Sequence, residues 1–134
     1  MSQFTVGIPF LIPSQGEHYM ARHRGTKLAE AYLRTLGRHV TRAEGRRIVD
    51  IVMYRPRKFS DYANMVSACK GLNDAVKRAG FIVDDSIKWA TFTYKQNTLG
   101  ALPASLIKRF GRVPIVCLTI TDETTEHHDL TREL

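Results

Sequence analysis

Cysteine is scarce in this chain: among 134 residues only Cys69 and Cys117 carry thiols, far apart and within apolar-patterned stretches. They lack the paired spacing of a zinc site and read as buried free thiols. Long apolar runs are missing too. None approaches the ~18 residues that span a bilayer, so no membrane partner is expected. The opening Met1-Ser2-Gln3-Phe4 has neither the basic nor the apolar region of a signal peptide, which makes the cytoplasm the expected compartment. There is no internal repeat and no low-complexity tract, and one domain is expected from a chain of this length.

Acidic residues are also in short supply. Thirteen Asp and Glu face twenty Lys and Arg, a net charge of +7. Such an excess in a short chain points to a polyanionic partner, because clustered cations bind phosphates and release counterions. The excess is local. Between Arg22 and Lys58 stand eleven Lys or Arg against Glu30, Glu44 and Asp50, the expected phosphate-contacting stretch. The opposite charge gathers at the other end, where Asp122, Glu123, Glu126, Asp129 and Glu133 face only Arg132. Residues 122–134 are therefore expected to form a solvated, frayed acidic tail after a domain over residues 1–121. His127-His128, within that tail, reads as solvated.

Periodicity supplies the elements. Phe4, Val6 and Ile8 alternate as in a short strand, and the polar stretch 14–25 reads as a surface loop. From Thr26, a candidate N-cap, Leu28, Ala31, Tyr32 and Leu36 recur at helical spacing. The near-continuous apolar run at 47–55 predicts a strand suited to the centre of a sheet. A long helix is predicted from Ser60 or Asp61 to Gly80, with Met65, Ala68, Leu72, Ala75, Val76 and Ala79 on one face. Residues 87–95 and 113–121 alternate as strands, 96–102 read as a loop, and Pro103 opens a short helix closed by Gly111. The sum is an α/β (α+β) single domain with a mixed four-stranded sheet and two main helices.

The acids Asp61, Asp84 and Asp85 are the candidate metal ligands. A helix of about 20 residues is nearly 30 Å long, however, so its two ends cannot share a metal. Either the chain after Gly80 folds back toward the helix start, or the acids serve different regions. Taken singly, Asp61 reads as a helix cap, Asp84-Asp85 as a turn and Lys70 as a solvated helix residue.

Taken together, Asp61-Tyr62-Ala63-Asn64-Met65, Asp74-Ala75-Val76, Ala79-Gly80-Phe81 and Val83-Asp84-Asp85 resemble the signature of RusA-type Holliday junction resolvases. In that family an Asp-x-Asp-Asn-Leu segment opens a helix, a lysine follows on it, and an Asp-Asp pair comes after its Ala-Gly-Phe end. Ile8-Pro9-Phe10, His23-Arg24-Gly25 and Leu118-Thr119-Ile120-Thr121 extend the similarity through most of residues 4–121.

The resemblance implies a homodimer that cuts four-way DNA junctions with Mg2+, or Mn2+ in its place, in recombination, repair or phage DNA processing in a bacterial or phage-infected cell. By position Asp61 and Asp85 would be metal ligands, Asp84 a neighbour and helper, and Lys70 the lysine that steadies transition-state charge. Two departures stand out. Ala63 occupies the position of the second aspartate, and a methyl group cannot hold a cation. The intact Asp61, Asn64 and Asp85 favour a change introduced to disable cutting over natural divergence. About three extra residues separate Asn64 from Asp85, one helical turn, so Ser67 competes with Lys70 for the lysine position. Lys70 alone has the required chemistry. Arg22, Arg24 and Lys27, with Arg55, Arg57 and Lys58 just before Asp61, are the expected DNA contacts. Trp89, Phe92 and Tyr94 read as core or dimer-interface residues. Two other readings are a non-catalytic branched-DNA or general nucleic-acid-binding protein and a basic protein of an RNA particle.

Overall fold

Alternating apolar residues need one covered face, and four strands here supply it. In the computed structural model residues 3–9, 11, 12, 19–36 and 40–123 are described, residues 19–23 by their backbone alone. The elements are β1 (Gln3–Ile8), α1 (Tyr19–Thr35), β2 (Arg47–Arg55), α2 (Tyr62–Ala68), α3 (Lys70–Arg78), β3 (Ala90–Thr98), a 3-10 turn (Leu99–Ala101), α4 (Ala104–Phe110) and β4 (Ile115–Asp122). They form one mixed sheet in the order β1-β4-β2-β3. β4 runs antiparallel to both β1 and β2, whereas β2 and β3 are parallel. Parallel neighbours need a crossover, and α2 and α3 provide it. The α+β expectation holds, and the apolar run at 47–55 is an inner strand as its pattern predicts.

The register sorts the side chains. Val6 pairs with Leu118, Leu118 with Ile51, and Ile51 with Tyr94, which sets them on one face. That face carries Val49, Ile51, Met53, Val116, Leu118 and Ile120, buried with Leu33, Met65, Leu72 and Val76. Each such side chain, fully buried, contributes roughly 1.5–3 kcal/mol. On the other face, Leu106, Ile107 and Phe110 of α4 cover Tyr54, Ile115 and Cys117 at one end of the sheet. The row Thr5, Thr119, Asp50 and Thr93 crosses all four strands beside them, with hydrogen bonds joining Thr5 to Thr119 and Thr93 to Asp50.

Several boundaries differ from expectation. α1 begins at Tyr19, so residues 19–25 are helical and Thr26 lies inside the helix rather than at its cap. Polarity suggests a loop there, but Met, Ala and Arg are good helix formers and Gly25 is the one weak position. The long helix is divided at Cys69, whose N–H bonds back to both Met65 and Val66 carbonyls. The i−3 bond marks a local tightening rather than an end. Gly80, at φ 84°, ends the helix as expected. β3 starts at Ala90 because Trp89 and Ala90 both donate to the Ser86 carbonyl in a turn, and it runs on to Thr98 through residues expected in a loop. Asp122 and Glu123, expected in the tail, belong with the sheet. Asp122 ends β4, and both it and Glu123 are ion-paired to arginines; residues 124–134, with His127 and His128, lie outside the described residues.

Cys69 is buried and Cys117 half-buried, both as free thiols. Burial pushes the Cys69 thiol up to about 12 against the opposing pull of Arg55. Among the described residues no helix is long and apolar enough to cross a membrane.

Candidate nucleic-acid interface

The segment between β2 and α2 is fastened along edge strand β3. Phe59 donates its N–H to the Gln96 side chain at 2.7 Å, and the Gln96 amide returns a bond to the Phe59 carbonyl at 3.2 Å. Three residues on, the Tyr62 ring meets Tyr94 edge to face with centroids 6.4 Å apart. Tyr94 receives a hydrogen bond from Asn73 at 2.8 Å and stacks on Phe92; burial pushes its hydroxyl pKa up. Phe92 and Tyr94 thus pack toward the core, in keeping with their expected role there.

Asp61 caps α2. Its side chain accepts the Asn64 N–H at 2.8 Å, and the Asn64 amide reaches the Ser60 hydroxyl at 2.9 Å. The reading of Asp61 as a cap is therefore correct, whatever else it does. Asn64 closes the turn from the other side. Ala63, exposed in the first helical turn, adds only a methyl group.

Two regions of basic residues come together across a helix contact. A Cβ on Gly71 would clash with the Thr26 hydroxyl, so the Thr26 side chain of α1 rests against the Gly71 backbone of α3. Lys27 follows Thr26 and Lys70 precedes Gly71, and both are exposed, as is Arg24 one helical turn before Lys27. Arg57 and Lys58 are exposed on the segment leading to Asp61. None of these five cations pairs with a carboxylate among the described residues. The backbone of Arg22 is helical, while its side chain lies outside the described residues.

Arg55 differs from the expected DNA contact. Its guanidinium lies 3.8 Å from the Phe59 ring centroid, donates to the Arg57 carbonyl at 3.0 Å and also bonds the Ile12 carbonyl. It ties the loop after β1 to the end of β2. Ser67, the rival of Lys70, is exposed on α2.

Asp84 and Asp85 are at the other end of the parallel pair. The Gly80 carbonyl accepts Ala43 N–H and the Phe81 carbonyl accepts Arg47, which hold the chain near the start of β2. From Ala90 beside Ser86 to Gln96 beside Phe59, six residues of β3 span about 20 Å. The helical route from Tyr62 to Arg78 gives about 24 Å. The chain does not fold back, and Asp61 and Asp85 do not meet within it. Asp84 pairs instead with Lys77 at 2.9 Å. No three His, Cys, Asp or Glu side chains converge among the described residues. With Ala63 lacking a donor and Asp85 remote, the residues of one chain do not fit a divalent-cation centre.

Sequence reasoning missed the ion pairs that separate free cations from matched ones. Glu30, nearly buried, binds Arg34 at 2.8 Å and Arg78 at 3.5 Å. The i, i+4 spacing of Glu30 and Arg34 was a readable signal; the partnership with Arg78 depends on the helix crossing. Compared with models of known protein families the chain matches none, and no curated protein matches it in sequence.

Proposed function

We propose that this chain recognises branched DNA, four-way junctions above all, as a homodimer of the RusA type, an endonuclease whose Mg2+ centre would have to draw Asp61 and Asp85 from different protomers and is disabled at Ala63. The observation that supports the reading is the Thr26–Gly71 contact, beside which the exposed Lys27 and Lys70 are the chain neighbours of the two touching residues, with Arg24 exposed one turn before Lys27. Arg57 and Lys58 extend the same charge toward Asp61. Such cations hold phosphates in register and release counterions. A two-fold dimer presents the surface twice, as the symmetry of a junction requires.

A non-catalytic branched-DNA-binding protein is the second reading. It is favoured by the separation of Asp61 from Asp85 and by the methyl group of Ala63. One gel experiment distinguishes the two, using labelled junction and linear duplex with and without Mg2+. Junction-selective binding is expected of the chain itself, and paired nicks only from Ala63→Asp. Junction binding with no cutting by Ala63→Asp would establish the non-catalytic reading. Lys27→Gln with Lys70→Gln should lower the slope of log affinity against log salt by about 1 for each phosphate contact removed. Equal, weak binding to junction and duplex, unchanged in that double variant, would sink both readings.

A further inference from the structure

We infer that Tyr62 is a base-stacking residue, which takes an unpaired base at the branch point while Arg57 and Lys58 hold the neighbouring phosphates. The inference rests on the reading of the chain as a branched-DNA-binding protein.

Tyr62 is 60% exposed and is the only aromatic side chain left mainly exposed among the described residues. It is nevertheless held. Its contact with Tyr94 has an interplanar angle of 74°, and Tyr94 is fixed by Asn73 and by near-parallel stacking on Phe92, at 16°. The ring therefore rests edge to face on Tyr94 and offers its remaining surface to solvent. An ordered aromatic loses little conformational freedom when a base stacks on it.

The surroundings select the ligand. Tyr94 and Gln96 are same-face neighbours on β3, about 7 Å apart. Tyr62 sits against the first, and Phe59, next to Lys58, is bonded to the second. A base on Tyr62 thus keeps its own phosphates within reach of Lys58 and Arg57, both exposed and without acidic partners among the described residues. Bases within a duplex are paired and stacked on both sides, whereas the pairs at the centre of an open junction lack one stacking neighbour, so that taking a base out costs less there. The residue would discriminate branched from linear DNA in a way that the cations alone cannot.

The test uses a four-way junction with 5-iodouracil at the branch point or within an arm, a linear duplex, and Tyr62→Ala, Tyr62→Phe and Tyr62→Trp, each checked for native circular dichroism. Irradiation should crosslink the branch-point base to Tyr62, and the arm base should not react. Tyr62→Ala should weaken junction binding about tenfold, Tyr62→Phe and Tyr62→Trp should stay near the parent, and duplex binding should be unchanged. Junction binding within twofold in Tyr62→Ala, with no crosslink at Tyr62, would overturn the inference and leave the branched-DNA reading standing. An equal loss on junction and duplex would also overturn it. Failure of the parent chain to bind any DNA would overturn both.

Discussion

The two ends of the parallel pair β2/β3 treat charge differently. At the start, Arg46 bonds Glu123 at 2.8 Å, Arg47 bonds Asp122 at 2.7 Å, and Lys77 bonds Asp84 at 2.9 Å. At the other end, Arg57 and Lys58 stand exposed without a carboxylate partner among the described residues, as does Lys70 midway along the crossover helices. Matched cations stabilise a fold or are neutral to it; unmatched ones stay solvated and free to meet an anion. A net charge of +7 therefore says less about binding than its distribution does.

The largest expected effect comes from breaking the matched end. Arg47 is only 2% exposed, and its guanidinium serves Asp122, the Thr41 and Phe81 carbonyls and the Thr41 hydroxyl at once. Removing it leaves those acceptors unpaired. Arg47→Ala should lose about 3–5 kcal/mol of stability in urea denaturation. A loss under about 1 kcal/mol would mean that this end is no better matched than a surface pair.

A smaller effect should come from the α1–α3 contact beside the unmatched Lys27 and Lys70. Gly71→Ala places a methyl group onto the Thr26 hydroxyl, so that either the Thr26 side chain turns away or α1 and α3 move apart. About 1–3 kcal/mol should be lost, and where the helices part junction affinity should fall with it as Lys27 and Lys70 separate. Adding Thr26→Ala should recover part of both. Recovery of stability without affinity would show that the crossing supports the fold and not the cationic surface.

The sequence was most legible where one rule acted alone. The alternation in β4 and the apolar face of Met65, Leu72, Ala75 and Val76 lead directly to the core. The cap at Asp61 follows from its place before a helical face. Legibility failed where long-range partners decide. Nothing near Arg47 in the chain marks it as buried, because Asp122 lies 75 residues away. Arg55 reads as one of three similar cations before Asp61, yet Phe59 and Ile12 make it a structural tie. The distance between Asp61 and Asp85 was estimable from helix length, but its resolution depended on Gly80 and Phe81 being held beside Ala43 and Arg47. Until those contacts are known, a fold-back and a straight crossover share one sequence.

The smallest effect tests whether the Lys77–Asp84 pair is matched by charge or merely adjacent. The hydrogen bond from Lys77 lowers the Asp84 pKa below its ordinary 3.8, and the bond to Asp84 raises Lys77 above its ordinary 10.5. A lowered acid stabilises the folded state above its unfolded value, and that contribution is lost as pH falls through the folded value. A raised lysine contributes below its unfolded value, and the contribution is lost as pH rises through the folded one. The pair should therefore act between 3.8 and 10.5 and fade outside that window. Both groups face solvent, so Asp84→Asn should lower the melting temperature at neutral pH by no more than about 2 °C, a difference that added salt reduces. At about pH 2 the variant and its parent should melt together. A deficit of the same size in acid would mean that Asp84 holds its turn by geometry, leaving Arg46 and Arg47 as the charge-matched cations at this end.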